Sequence, residues 1–199
     1  MRHCGICYMR SKYIKKSDIE HLRGNLGSKW IIFQLMLETG IRVGDAVRVR
    51  GTDITNEDGS FFLTMPAQKT GKLIHLPLSP ELGVRLSQSG KSYFFASAKN
   101  NLKPISRQTV WRWLKTAARE AHVPIDGTSP HSFRKCFAVR LLHEDGLHAV
   151  QSALQHSNDS VTRLYAYSDT VMKSDSDEPI RWRDLELICE YILDRLRES

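Results

Sequence analysis

Between Thr52 and Leu78 the hydrophobic pattern of this chain changes period, and that change restricts the folds open to it more than any other feature. Phe61-Phe-Leu-Thr-Met65 and Leu73-Ile-His-Leu-Pro-Leu78 are β-rich runs separated by Thr70-Gly71, with Asp58-Gly59 marking a turn before them. They predict a small antiparallel sheet. On both sides of it the spacing is helical. Ser17-Asp-Ile-Glu20 has the form of a capping box, so a helix is expected from Ser17 to about Arg23. From Ser28 to Glu38 apolar residues cover most of a helix's circumference, which predicts burial, and Gly40 fits a left-handed C-terminal cap. A short helix is expected near Val43. Further helices are expected over Pro80–Leu86, Ser106–Ala121, Pro130–His143, Ala149–Leu154 and Asp159–Tyr165. The fold class is therefore α+β, mainly α-helical, with one small antiparallel sheet or hairpin.

Charge is distributed unevenly over the 199 residues. Residues 1–173 hold 25 Lys+Arg against 14 Asp+Glu, a balance of +11, while residues 174–199 hold 4 against 8, a balance of −4. A basic body favours a polyanionic partner, because each phosphate contact releases counterions. No run of eighteen apolar residues is present and the first residues lack a signal peptide's apolar core, so a soluble, cytoplasmic protein is expected. Four cysteines form no disulfide framework. Cys4 and Cys7 make one C-x-x-C with His3 beside it, but a structural zinc site needs four ligands and no second pair follows, so no metal is expected.

Four segments carry candidate chemistry. Glu38-Thr-Gly-Ile-Arg-Val-Gly-Asp45 holds Arg42 just after a helix-ending glycine, where a turn fixes it, although an arginine there is commonly solvated or paired with a carboxylate such as Asp45. Gln68-Lys-Thr-Gly-Lys72 sets Lys69 at the hairpin tip, where exposed lysines are commonplace. Ser129-Pro-His-Ser-Phe-Arg134 reads as an N-cap serine, a proline at the first helical position, then His131 and Arg134 on one face, a place where a phosphate could be held. Leu154-Gln-His-Ser-Asn-Asp-Ser-Val-Thr-Arg-Leu-Tyr-Ala-Tyr167 carries His156 in a turn and then two tyrosines.

Taken in order, these boxes resemble the tyrosine recombinase and phage integrase family across roughly residues 11–170. The resemblance implies a catalytic role for Arg42, Lys69, His131, Arg134, His156 and Tyr165, with Tyr165 as nucleophile. Departures are mild: Gln155 replaces a common glycine, Phe133 and Lys135 replace the usual Leu and Arg, and Asp45 stands where Glu is frequent. The implied chemistry accounts for the residue types. A phenol with a pKa of about 10 is a weak nucleophile and a phosphodiester repels attack, so two arginines are needed to stabilise the five-coordinate transition state. Histidines can add hydrogen bonds or take the tyrosine proton, and a hairpin lysine can protonate the departing 5′ oxygen. One phosphodiester is exchanged for a phosphotyrosine, so bond energy is retained and no cofactor or metal is required; the sequence has no Gly-rich phosphate loop.

Ser106-Arg-Gln-Thr-Val-Trp-Arg-Trp-Leu-Lys115 opens a helix whose Arg107, Gln108, Arg112 and Lys115 are candidates for phosphate or major-groove contact, or else form a solvated face over Val110, Trp113 and Leu114. The resemblance implies double-stranded DNA with specific sites as partner, and four protomers assembled on two sites. Residues 1–173 are read as the catalytic domain, with 1–10 an N-terminal extension and no room for the additional N-terminal DNA-binding domain of most members. The chain is then either a fragment or a short enzyme similar to the fimbrial phase-variation recombinases, encoded by a bacterium, phage or mobile element and acting at the nucleoid. Residues 174–199 form an acidic linker and an amphipathic helix on which Trp182, Leu185, Cys189, Ile192 and Leu196 make a stripe. That stripe packs on its own domain or docks on a neighbour. A non-cutting DNA-binding regulator of the same fold is the alternative function, although such a protein has no chemical need for Tyr165 or Lys69.

Overall fold

In the computed structural model, residue 11 and residues 13–154 are described, and they form a helical body carrying a three-stranded sheet. The helices are α1 (Lys16–Leu26), α2 (Trp30–Thr39), α3 (Val43–Ala46), α4 (Pro80–Ser87), α5 (Arg107–Glu120) and α6 (Pro130–Leu154). The strands β1 (Ile54–Glu57), β2 (Ser60–Pro66) and β3 (Leu73–Leu78) pair antiparallel in that order, with Leu63 opposite both Ile54 and Leu76. The expected α+β class and hairpin are both present.

Helix α2 is the centre of the core. Ile32, Phe33, Leu35 and Met36 are fully buried, as its all-round apolar pattern predicts. It packs on α6, where Phe33 and Phe133 approach with ring centroids 4.8 Å apart and Trp30 meets the same Phe133 edge-on at 6.2 Å. The inward residues of the sheet, Leu63, Met65, Ile74 and Leu78, close over the same core. Full burial of a side chain such as Leu63 or Phe33 contributes about 1.5–3 kcal/mol. Gly40 ends α2 in the left-handed conformation, φ +64°, with its N–H bonded to the carbonyl of Met36. Cys136 is buried and unbonded to another cysteine; burial pushes its thiol up to about 11, and its S–H donates to the carbonyl of Ile14.

Three local expectations are corrected. The capping box is not formed: α1 begins at Lys16 after an extended Lys15, no side chain caps it, and burial of Leu26 carries the helix a turn past Arg23. The two helices expected over 130–143 and 149–154 are one, because a single glycine, Gly146, costs about 1 kcal/mol in a helix without ending it. A second hairpin, β4 (Ala96–Ser97) and β5 (Asn100–Pro104), was not expected. Its Asn, Lys and Pro residues have poor strand propensity. A tertiary bond holds the segment, from Phe94 N–H to the Val49 carbonyl, and the Ile105 N–H closes the base of the hairpin on the Phe95 carbonyl.

Candidate active site

The site is built where α6 crosses the end of α2. Chain leaving the Gly40 cap runs through buried Ile41 into Arg42, whose extended backbone (φ −72°, ψ 146°) makes it the N-cap of α3. Its carbonyl accepts the N–H groups of Asp45 and Ala46, which fixes the residue from its own backbone. Arg134, on the first turns of α6, is 5% exposed, so its charge depends on partners within the protein. Its guanidinium donates to the carbonyl of Gly40, two residues before Arg42. Phe137, one turn further along α6, covers Gly40 so closely that a Cβ there would lie 2.2 Å from the ring.

His131 stands one turn before Arg134 with an exposed side chain. Partial desolvation of its ring, followed by the positive charges of Arg134 and Arg42, lowers its pKa from the usual 6.5. That double influence puts the imidazole within electrostatic reach of both guanidiniums. Arg42 and Arg134 thus form a cationic cluster close enough to His131 to disfavour its protonation. At the start of α6 the N-cap bonding differs from expectation. Ser129 does precede Pro130, but its hydroxyl bonds to Ser11 at 2.9 Å, while Ser132 accepts the Ser129 N–H and donates to the Gly127 carbonyl.

The β2–β3 turn is tied to the same segment. Asp45, 2% exposed, does not use its carboxylate on Arg42 in the manner weighed from the sequence; its Oδ1 accepts the backbone N–H of Gln68 at 2.8 Å. Lys69 follows directly, exposed in the turn, which is closed by Gly71 N–H to the Ala67 carbonyl and Ala67 N–H to the Lys72 carbonyl. At the base of the hairpin, Glu38 accepts both the N–H and the hydroxyl of Ser79, each at 3.0 Å. These two carboxylates were not singled out for such bonds in the sequence, where only their place in the Arg42 box was visible. His156 and Tyr165 lie outside the described residues, as do Cys4 and Cys7. Among the described residues no group of three His, Cys, Asp or Glu could hold a metal.

Helix α5 presents Arg107, Gln108 and Arg112 to solvent. Arg107 lies beside the site: a Cβ on Gly44 would be 3.7 Å from its Cδ and 3.1 Å from Oε1 of Gln68. Lys115 departs from the expectation of an exposed cation. Its ammonium donates to the Ile125 carbonyl and lies 5.5 Å from the Trp111 ring centroid. Burial pulls its pKa below the usual lysine value, against the opposing effect of Asp126. No described helix is long and apolar enough to cross a membrane.

Comparison with known proteins shows the family and the fold. The model of the phage integrase family matches residues 13–171. The chain belongs to that family, and its described part has the fold of the tyrosine recombinase catalytic domain. It is 30% identical over 143 residues to tyrosine recombinase XerA of Pyrococcus furiosus, covering 68% of this chain and 48% of that protein. Among solved structures it is similar to the XerH site-specific recombinase in a post-cleavage complex with a palindromic difH substrate, with a TM-score of 0.67 and 17% identity over 81% of this chain and 51% of that one. A lambda integrase dimer bound to a COC′ core site gives a TM-score of 0.66 and 20% identity, covering 87% of this chain and 51% of that one. The chain spans about half the length of the curated relatives it matches.

Proposed function

We propose that this chain is the catalytic domain of a site-specific DNA recombinase that cuts and rejoins strands through a 3′-phosphotyrosine on Tyr165. The observation that supports it most is the bond from Arg134 to the Gly40 carbonyl, which joins the two arginine-bearing segments beside His131. In this reading Arg42 and Arg134 bind the non-bridging oxygens of the scissile phosphate and stabilise the charge that builds as the phosphorus becomes five-coordinate. The Tyr165 oxygen attacks phosphorus while its proton passes to a histidine, His131 or His156. The bond from phosphorus to the 5′ oxygen breaks, and Lys69 gives that oxygen its proton. Attack by a 5′-hydroxyl on the phosphotyrosine reverses the step and reseals a strand. No nucleotide or metal enters the balance.

The partner is double-stranded DNA carrying specific sites, met by the exposed Arg107, Gln108 and Arg112 of α5; Lys115, expected from the sequence to join them, is instead held by the Ile125 carbonyl. Four protomers assemble on two sites, with the apolar stripe of residues 182–196 docking on a neighbour, and the protein acts in the cytoplasm where its DNA lies. Deleting residues 174–199 is expected to leave single-site binding and abolish pairing of sites. The decisive experiment takes nicked half-sites from duplexes that the protein selects out of a random pool and looks for a covalent protein–DNA adduct. Tyr165→Phe is expected to abolish the adduct and keep binding. Loss of the adduct in Tyr167→Phe alone would move the nucleophile two residues on, and binding without any adduct in the unaltered protein would leave a non-cutting regulator.

A further inference from the structure

The turn that carries Lys69 belongs to a hairpin that is bonded at both ends to the segment carrying Arg42. At the base, Glu38 holds the N–H and hydroxyl of Ser79, the residue that follows β3. At the tip, Asp45 holds the N–H of Gln68, the residue before Lys69. The two carboxylates lie four residues before and three residues after Arg42, and both contacts cross long stretches of sequence, 41 and 23 residues. With the base fixed and the strands paired in register up to Pro66 and Leu73, the freedom left to the hairpin is that of the turn itself. Asp45 bonds within that turn, from a buried position three residues after Arg42.

We infer that Asp45 is a positioning residue for proton delivery: through the Gln68 amide it sets where Lys69 stands relative to the phosphate held by Arg42. This inference rests on the proposed function above, and it gives Asp45 a task separate from pairing with an arginine. A carboxylate suits the task, since hydrogen bonds from a backbone amide to a charged acceptor are the stronger kind, and the acceptor end of this one is buried. Asp45 touches no reacting atom. Its effect is confined to the step in which the Lys69 ammonium protonates the 5′ oxygen as the bond to phosphorus breaks.

Two measurements on the full chain decide it, made on Asp45→Ala and Asp45→Asn with thermal unfolding of each. The first needs no catalysis: trypsin cutting after Lys69 and Lys72 is expected to quicken about 10-fold in Asp45→Ala, as the turn opens locally, and to change little in Asp45→Asn, whose amide oxygen still accepts the Gln68 N–H. The second compares a nicked half-site with one in which sulfur replaces the bridging 5′ oxygen, a leaving group that needs no proton. Asp45→Ala is expected to lose on the order of 100-fold on the oxygen substrate and to regain most of it on sulfur, as Lys69→Ala should. Should Asp45→Ala fail to fold, Gln68→Pro removes the same bond from its exposed end and is held to the same signature. Unchanged trypsin cutting, or an equal loss on both substrates, overturns the inference. Absence of any adduct from the unaltered protein defeats the proposed function instead, and the trypsin rates still report whether the tether holds the turn.

Discussion

Arg134 donates a hydrogen bond to the carbonyl of Gly40, 94 residues earlier in the chain. The bond places a buried cation of α6 on the turn that presents Arg42, so the two arginine-bearing segments are tied together two residues before Arg42.

Gly40→Ala tests that junction. A side chain at φ +64° costs about 1–3 kcal/mol, and its Cβ would press to 2.2 Å from the Phe137 ring. Urea unfolding is expected to show a loss of at least that size, with adduct formation falling further than the loss of folded protein explains. An alanine variant of unaltered stability and rate would mean that the turn adapts freely.

Arg42→Ala and Arg134→Ala are expected to slow strand cleavage by about 100- to 1000-fold while changing DNA affinity less than 10-fold, since their contacts strengthen as transition-state charge grows. Arg134→Lys should remain impaired, because a lysine lacks the planar fork. Single-turnover cleavage and gel-shift affinity measured on the same duplex separate the two effects; equal losses in both would make these residues ordinary phosphate contacts.

His131 is expected to titrate below 6.5 by NMR in the free protein, and to move upward in Arg42→Ala, where one of the neighbouring positive charges is gone. Because its folded pKa is depressed, the neutral ring is the form the fold favours. Its contribution is complete above 6.5 and is lost as pH falls from there through the folded value, where the unfolded chain binds the proton first. A midpoint above 6.5, or no response to removal of Arg42, would separate His131 from the cluster.

Along α5 the cations are expected to divide. Arg107→Ala and Arg112→Ala should each weaken DNA binding and reduce the slope of log affinity against log salt by about 1. Lys115→Ala should lower stability and leave that slope nearly unchanged, because its ammonium is already held by the Ile125 carbonyl. A full salt effect from Lys115 would show that DNA displaces this internal bond.

How much could be read from the sequence depended on the range of the interaction concerned. The burial of Ile32, Phe33 and Leu35 follows from spacing within one helix, and the β2–β3 hairpin from two β-rich runs with a Thr70-Gly71 turn between them. Both were legible because the cause is local. The β4–β5 hairpin was not, since the segment is anchored by a bond from Phe94 to distant Val49 and its own residues disfavour strands. The same distinction holds in the site. Box order along the chain marked Arg42, Lys69, His131 and Arg134, but the use of Asp45 on Gln68 and of Glu38 on Ser79 is set by elements meeting in space. Ser17 failed as a cap for a related reason: burial of Leu22 and Leu26 decides where α1 lies, and the helix begins two residues too early for the serine to serve.

The packing of Trp30 and Phe33 against Phe133 also bears on the order of events during synthesis. Helix α2, buried on most of its circumference, is made early, yet its aromatic partner on α6 is about one hundred residues downstream. On the ribosome α2 therefore waits as exposed apolar surface, and a nascent chain halted before Phe133 is a target for chaperones and aggregation. Completion of the core and arrival of Arg134 at Gly40 are then a single event, so the two arginine-bearing segments are joined only once the chain has folded.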